Sequence, residues 1–384
     1  MNVRLIDSAA GNQAAMSSSG HGRHADTPTD IPVRGWKDVA NRVKTEAKQD
    51  NLPLLSAGVA FYSLLALVPG LAAMISIYGL VADPQKVQQQ VVSSLSAAPQ
   101  EVRDLVSSQL SSIASSSSGG TLVAVIVGIV LALWTASAGI GHLMQAINVA
   151  YDEDDSRSFL RRRGIALAFT VSAVVMLLAS FVVIALLPAW LASTGLGFAA
   201  RVFASLLRWV LLFAVMIGAL AVLYRYAPDR DEPKWRWASA GAAIAAFVWL
   251  VGSIAFSIYT ANFGKYNKTY GSLGAVVVLM LWLYLTSLAV ILGAEINAEL
   301  ERQTNRDSTE GAAQPIGGRH AYAADTVGAG SDGIGSSDTD APPLTVGVPV
   351  QAGAGVSNES RVQQGIRLAQ MVRSALRRKS APTD

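Results

Sequence analysis

The chain has no cysteine and little charge. Among its 384 residues there is no Cys, and Asp, Glu, Lys and Arg make up 15%, whereas a soluble domain typically has about 25% charged residues. The absence of cysteine excludes disulfides, thiolate metal sites and cysteine nucleophiles. The shortage of charge, together with 51% hydrophobic residues, argues against a soluble domain.

Several catalytic motifs are also missing. The sequence contains no Gly-rich phosphate loop of the Walker type, no serine nucleophile elbow and no His/Asp cluster with metal-ligand spacing. ATP-driven transport by this chain alone is therefore not expected, and we predict neither a cofactor nor a bound metal. Nothing in the sequence resembles a nucleic-acid-binding module, so no nucleic-acid partner is expected. These absences favour a protein that is not an enzyme.

Six long apolar blocks occupy most of the chain between residues 51 and 300. The block from 164 to 200 lacks Asp, Glu, Lys and Arg altogether, and about 20 apolar helical residues are enough to cross the hydrocarbon core of a bilayer. Backbone polar groups must be satisfied internally within a membrane, so the blocks are predicted to be helices. The predicted spans are residues 54–81, 121–148, 164–187, 204–226, 237–261 and 272–297. The fold class is therefore an all-α polytopic membrane protein, and its first partner is the lipid bilayer.

Lysine and arginine are distributed unequally between alternate loops. One set of loops and tails holds 15 of these residues, and the other set holds six. Basic residues accumulate in cytoplasmic loops, so the richer set is predicted to face the cytoplasm. Both termini belong to that set. Cytoplasmic termini require an even number of spans, which agrees with six.

The regions outside the apolar blocks suggest a domain organisation. Residues 1–35 and 303–358 are polar and are predicted to be a disordered cytoplasmic tail and linker on either side of a membrane domain at residues 36–302. Apolar residues at helical spacing in 83–120 predict two short amphipathic helices in the outer loop between spans one and two. Residues 359–380 combine an apolar stripe with six basic residues. This pattern predicts either an amphipathic helix that binds anionic lipid or a solvated, transiently helical tail.

Polar residues within the first two spans are candidate functional positions. Pro69 predicts a kink, which is either a packing feature or a broken helix that exposes backbone groups for binding. Ser137, His142 and Asn148 lie in span two, where polar side chains bond across helices. His142 is the one histidine in a predicted span. It is either a functional ionisable group or a packed, hydrogen-bonded side chain.

Two further candidates, Glu295 and Asn297, lie near the predicted cytoplasmic end of span six. A buried Glu295 is expected to do one of two things. Either it forms an ion pair with an arginine of residues 157–163 or 225–236, or it takes part in proton or cation coupling.

The outer turn between spans five and six is unusually polar and aromatic. Lys265 and Lys268 lie there among tyrosines that include Tyr270. They are expected either to contact an anionic headgroup or to form an aromatic interface belt with snorkelling lysines.

Three groups of residues resemble the YihY/BrkB family of bacterial inner-membrane proteins. They are 60–65 with Val68-Pro69, 133–137 with 146–151, and 270–274 with 281–284 and 292–297. Together they cover most of residues 37–301. The resemblance implies a six-helix protein of the bacterial inner (plasma) membrane, and it adds Tyr62, Tyr270 and Gly271 to the candidate positions.

The resemblance also implies a role in the cell envelope. Members of the family have been labelled ribonuclease BN, some are named for virulence or serum resistance, and some relatives are linked to export of lipid-like envelope components. The ribonuclease label fits this sequence poorly, because phosphodiester hydrolysis requires metal-binding acids or an acid–base pair. The leading hypothesis is transport of an anionic amphiphile, a lipid or a small envelope metabolite. The alternatives are a non-transporting scaffold for envelope proteins and, remotely, a membrane-bound ribonuclease; the oligomeric state stays open, a homo-oligomer included.

Overall fold

The computed structural model describes residues 20–81, 122–193, 197–262 and 272–330. Within these ranges the chain forms helices and loops, without a β-strand. The helices are α1 (Val33–Gln49), α2 (Leu52–Val81), α3 (Leu122–Ala150), α4 (Phe159–Ser193), α5 (Phe198–Tyr226), α6 (Trp235–Asn262), α7 (Ser272–Glu301) and the short α8 (Tyr322–Asp325). The amphipathic helices predicted in 83–120 and 359–380 lie outside the described residues.

Helices α2 to α7 are long enough to cross a bilayer. They have 28 to 35 residues each, and at about 1.5 Å per residue the shortest is roughly 42 Å long, against a hydrocarbon core of about 30 Å. Five described helices, α3 to α7, are also apolar enough to span a membrane, and the count rises to six when the bent pair α1–α2 is included. The prediction of an all-helical, polytopic membrane protein is confirmed.

Contacts between the two flanks of the bundle favour six crossings over five. The Arg23 guanidinium donates to the carbonyl oxygen of Gly328 at 2.6 Å, and Gln303 donates to that of His21 at 2.6 Å. Residues 20–25 and 303–328 therefore lie on the same side of any membrane that the helices cross. An odd number of crossings would separate them, which favours counting α2, with 30 residues and no charged one, as a sixth candidate span.

The first long helix continues through Pro69. The chain bends instead between α1 and α2, by 64°, where Asn51 adopts a positive φ of 53°. Asparagine tolerates this left-handed conformation better than most residues. The broken-helix alternative at Pro69 is therefore not what the structure has, because the interruption lies at the start of α2.

Small residues allow the helices to approach closely. A Cβ added at Gly241 of α6 would overlap the carbonyl oxygen of Gly293 of α7, and one added at Gly139 of α3 would lie 3.1 Å from the side chain of Ala66 in α2. Alanines also fill much of the buried core. Large apolar side chains such as Phe203 and Phe247 point outward and are exposed. Small residues inside and large ones outside are typical of helices packed in lipid.

One end of the bundle is covered by ordered polypeptide. Four parts of the chain meet at this end, namely α1 and residues 151–158, 227–234 and 302–330. We call it the capped end. Trp237 and Leu300 are buried there beneath the N-terminal residues Ala25 and Ile31.

The sequence predicts disorder in residues 1–35 and 303–358. The structure corrects this prediction for residues 20–35 and 303–330, which are ordered at the capped end. Arg319 explains the difference. Its side chain donates to the carbonyl oxygens of Ala324 at 2.6 Å, Asn305 at 2.9 Å and Gln314 at 3.1 Å. Polar contacts to the backbone hold this segment, and a reading of apolar periodicity does not detect them.

Candidate functional site

Arg230 and Glu301 form a buried ion pair at the capped end. Neither side chain is exposed to solvent, and the guanidinium donates two hydrogen bonds to the carboxylate, at 3.1 and 2.7 Å. The hydroxyl of Ser308 donates a third bond to Glu301, at 2.6 Å. The guanidinium also lies 5.1 Å from the ring centroid of Tyr151, whose hydroxyl pKa is raised by burial. Every charge here is compensated, so the group is well suited to a structural role.

A second set of ion pairs joins α1 to the end of α7. Arg42 donates to the carboxylate of Glu299 and, at 2.9 Å, to the carbonyl oxygen of the same residue. Arg302 donates to Glu299 and to Glu46 at 3.2 Å, and it lies 3.9 Å from Asp152. These two arginines therefore face three carboxylates, which leaves negative charge in excess.

The excess of carboxylates changes how nearby acids titrate. Burial raises the pKa of Asp50 to about 6, and the charges of Asp152 and Glu46 add to the shift. Burial also raises the pKa of Asp152, against the opposing effect of Arg302. This part of the capped end takes up protons at a higher pH than separate carboxylates do.

Glu295 lies beside this cluster, inside α7, and differs from the other carboxylates. The residue is 2% exposed, and its Oε2 atom has no hydrogen-bond partner among the described residues. An ionised carboxylate that is buried without a partner is very costly. Burial of Glu295 therefore favours its neutral, protonated form or a bound cation.

The expected ion pair of Glu295 with an arginine of 157–163 or 225–236 is not formed among the described residues. Arg157 donates to Asp155 at 2.8 Å, Arg225 donates to Glu232 at 2.9 Å, and Arg230 is held by Glu301. The buried arginines of the two loops are thus engaged by loop carboxylates or by the end of α7. Of the two expectations for Glu295, proton or cation coupling stays a prediction.

Asn297 and Asn148 fasten the helices around Glu295. The Asn297 amide accepts from the backbone N–H of Gly241 at 2.7 Å and donates to the carbonyl oxygen of Ala238 at 3.1 Å, which joins α7 to α6. Asn148 accepts from the backbone N–H of Asp229 at 2.8 Å, while its Nδ2 atom is buried without a partner in the described structure. Both asparagines have clear positioning roles.

The polar residues of α3 and α2 form a separate group. The ring of His142 stacks on that of Tyr62, with centroids 3.6 Å apart, and its Nδ1 atom lies 3.2 Å from Gln145 Oε1. Ser137 donates to the carbonyl oxygen of Trp134 in its own helix at 2.7 Å. His142 is therefore a packed and hydrogen-bonded side chain.

Four candidate residues lie outside the described residues, namely Lys265, Lys268, Tyr270 and Gly271. Their contacts to headgroups stay a prediction. Among the residues that the structure describes, no group of three or more His, Asp or Glu side chains is placed to hold a metal ion.

The sequence did not identify the pairing of Arg230 with Glu301. The sequence includes Arg230 among the charges that orient the protein in the membrane and among the possible arginine partners of Glu295, not of Glu301. The two residues are separated by 71 positions, and no local spacing joins them. The resemblance included Tyr151, at the end of its second group of residues, and that was the one signal near this pair.

The chain is similar in sequence to several known proteins. A family model described as virulence factor BrkB matches residues 43–317. The ribonuclease-like protein YfkH of Bacillus subtilis is 33% identical over 257 residues, which are 65% of this chain and 90% of YfkH. A UPF0761 membrane protein of Verminephrobacter eiseniae is 27% identical over 69% of this chain and 62% of its own length. Another, from Tolumonas auensis, is 39% identical over 25% of this chain and 32% of its own length. The chain thus matches less than two thirds of the length of these two UPF0761 relatives, and no solved structure matches it.

Proposed function

Because the chain belongs to the BrkB virulence factor family, we propose that it is a transporter of the bacterial inner membrane. Its cargo in this proposal is an anionic amphiphile, a lipid or a small envelope metabolite. The capped end carries the loops that are rich in lysine and arginine, and the positive-inside rule assigns it to the cytoplasm. The proposal gives the chain no catalytic role, and the word ribonuclease in the name of YfkH is not carried over to this chain.

The single observation that supports transport most strongly is the state of Glu295. A carboxylate that is 2% exposed within a span, with an oxygen atom that no described group satisfies, destabilises the folded protein when it is ionised. Structural carboxylates at the capped end, by contrast, have arginine partners. Ionisable residues inside membrane spans are typical of proton relays in pumps and transporters.

The surroundings of Glu295 suggest how it is coupled to solvent. Asp50 is half-buried and Asp152 is exposed, both lie outside the spans, and burial raises the pKa of both carboxyls. In the proposal they form an acidic route between water at the capped end and the buried carboxylate of Glu295. In the proposal, a proton enters through Asp50 and Asp152, neutralises Glu295, and leaves after the bundle rearranges.

The test measures lipid movement driven by a pH gradient. The full-length protein is reconstituted into vesicles that contain fluorescent phosphatidylglycerol, and translocation is followed by chemical quenching of the label in the outer leaflet. Wild-type protein is expected to accelerate translocation, and a pH gradient is expected to change the rate. Glu295→Gln keeps the size of the side chain but cannot ionise, so the rate should lose its response to the gradient.

Glu310→Gln is the matched control, because this carboxylate is 59% exposed and lies outside the spans. It should behave as the wild type does. A gradient response that persists in Glu295→Gln would remove the coupling role. Vesicles with wild-type protein that translocate no faster than empty vesicles would count against transport of this lipid and favour the scaffold for envelope proteins. Partner capture would then be unaffected by Glu295→Gln.

A further inference from the structure

A cleft opens between α3 and α4, away from Glu295. Its volume is about 150 Å³, and an apolar cavity of about this size in another protein accommodates benzene. The cleft therefore has room for a group of five or six heavy atoms. Its walls include Ala138 and Gly141 of α3, whose small side chains create the space.

The polar groups that line the cleft are cationic or can donate hydrogen bonds. Arg162 and Arg163 of α4 face His142 and Gln145 of α3 across it. The buried Nε atom of Arg163 has no partner among the described groups. No carboxylate lines the cleft within the described chain. The cleft thus offers donors and positive charge without an acidic side chain to satisfy them.

The acidic side chain that pairs with Arg162 is already engaged. Asp155 lies 4.0 Å from Arg162, but it accepts two hydrogen bonds from Arg157, at 2.8 and 3.2 Å. The cleft also lies at the beginning of α4, where the helix dipole favours an anion. An anion bound there would meet two guanidinium groups. It would compete with the shared Asp155 carboxylate for Arg162 and with the carbonyl oxygen of Trp134 for Arg163.

The rim of the cleft combines exposed apolar side chains with an arginine and a tryptophan. Phe159 lines it and is 63% exposed, and the neighbouring Leu160 is 75% exposed. Beside them, Arg163 packs over the ring of Trp134, with a distance of 4.7 Å to the centroid. Exposed apolar residues next to arginine and tryptophan are typical of the interface between hydrocarbon and headgroups.

We propose that this cleft binds the phosphate group of an anionic phospholipid from the surrounding membrane. Arg162 and Arg163 hold the phosphate oxygens, Gln145 and His142 contact the polar part of the headgroup, and the acyl chains lie along Phe159 and the outer face of α4. The site is separate from Glu295, so it stands whether or not the protein transports its cargo with protons.

The experiment counts lipid bound to the purified, full-length protein. Nanodiscs of phosphatidylcholine with a minor fraction of phosphatidylglycerol are prepared, and native mass spectrometry measures how much phosphatidylglycerol each chain retains. Wild-type protein should retain one molecule selectively. Arg162→Gln with Arg163→Gln should weaken retention about tenfold or more, because both charge-assisted contacts are lost.

Two further variants separate this site from general basicity and from misfolding. Arg161→Gln removes a charge from the same helical turn, but Arg161 does not line the cleft, so retention should be unchanged. Ala138→Leu keeps both arginines and fills the cleft, so it should lose retention while the thermal unfolding temperature stays near that of the wild type.

Three results would overturn the proposal. The first is equal retention by the wild type and the double variant. The second is an Arg161→Gln protein that loses as much phosphatidylglycerol as the double variant, which would indicate diffuse attraction to basic residues. The third is equally tight binding of soluble glycerol phosphate, which would show that the ligand is a free phosphate ester and that the acyl chains contribute nothing.

Discussion

Replacing Arg230 by methionine should destabilise the protein far more than a surface substitution does. Methionine fills part of the same volume without charge, so Glu301 loses both bonds from the guanidinium and keeps the one from Ser308. Each charge-assisted hydrogen bond contributes about 1.5–3 kcal/mol, which gives roughly 3–6 kcal/mol for two. Removing one partner from a buried ion pair costs about 3–5 kcal/mol, so the two ways of reasoning agree.

The assay is the free energy of unfolding in mixed detergent micelles, titrated with SDS and followed by tryptophan fluorescence. Arg230→Met, Glu301→Gln and the double variant are compared. The double variant should cost less than the sum of the single ones, by about 0.5–3 kcal/mol, because neither charge is then left alone. Glu310→Gln is the control, since its ion pair with Arg225 is half exposed and such pairs contribute about 0–1 kcal/mol.

Two results would refute this reasoning. One is an Arg230→Met protein whose loss of stability matches that of Glu310→Gln, which would mean that the Arg230–Glu301 pair is exposed to solvent. The other is strict additivity in the double variant, which would mean that Arg230 and Glu301 stabilise the capped end independently of each other.

Four other substitutions test neighbouring features by the same unfolding assay. Gly241→Ala places a methyl group against the Gly293 carbonyl oxygen and should cost about 1–3 kcal/mol or more, whereas Gly218→Ala meets nothing within 4 Å and should stabilise its helix by about 0.5–1 kcal/mol. Asn297→Ala removes two buried hydrogen bonds and should cost about 2–4 kcal/mol. Asp50 holds its proton up to about pH 6, against an ordinary pKa of 3.8, so its contribution to stability is present at low pH and is lost as the pH rises between these values. Asp50→Asn should remove this pH dependence, which amounts to about 1 kcal/mol of unfolding free energy after a discount for solvent screening.

Each of these expectations has an opposite result that contradicts it. Equal stability of the Gly241→Ala and Gly218→Ala proteins would mean that α6 and α7 are not in close contact. An Asn297→Ala protein as stable as the wild type would remove the fastening role of that amide. A pH slope that survives Asp50→Asn would point to other acids of the capped end, Asp152 first.

The membrane helices were predictable from the sequence, because hydrophobicity is a local property. The predicted span at 272–297 corresponds to α7, Ser272–Glu301, and the one at 237–261 to α6, Trp235–Asn262. The structure extends the helices beyond the apolar stretch, into residues that are charged or polar. In α7 this end carries Glu299 and Glu301, whose arginine partners lie at the capped end.

The contacts of the candidate site were less predictable. The importance of Glu295 followed from its position in a span, but its lack of an arginine partner depends on pairings such as Arg42 with Glu299, which are 257 positions apart. The ordered residues 303–330 were missed because side-chain bonds to backbone carbonyls hold them, and these leave no periodic pattern. Sequence patterns show which residues are unusual; only the packed structure shows which charges are already neutralised.

The closure of the capped end has a consequence for the order in which the protein is made. Arg23 binds the carbonyl oxygen of Gly328, which is synthesised 305 residues later. At about 5–20 residues per second, the first segment waits roughly 15 to 60 s on the ribosome for its partner. During that interval Arg42 and Glu46 of α1 have neither Glu299 nor Arg302 to bind. The cap can therefore close only after α7 and the residues up to 328 have been made, and a nascent chain that ends before α7 leaves the charged groups of α1 without these partners.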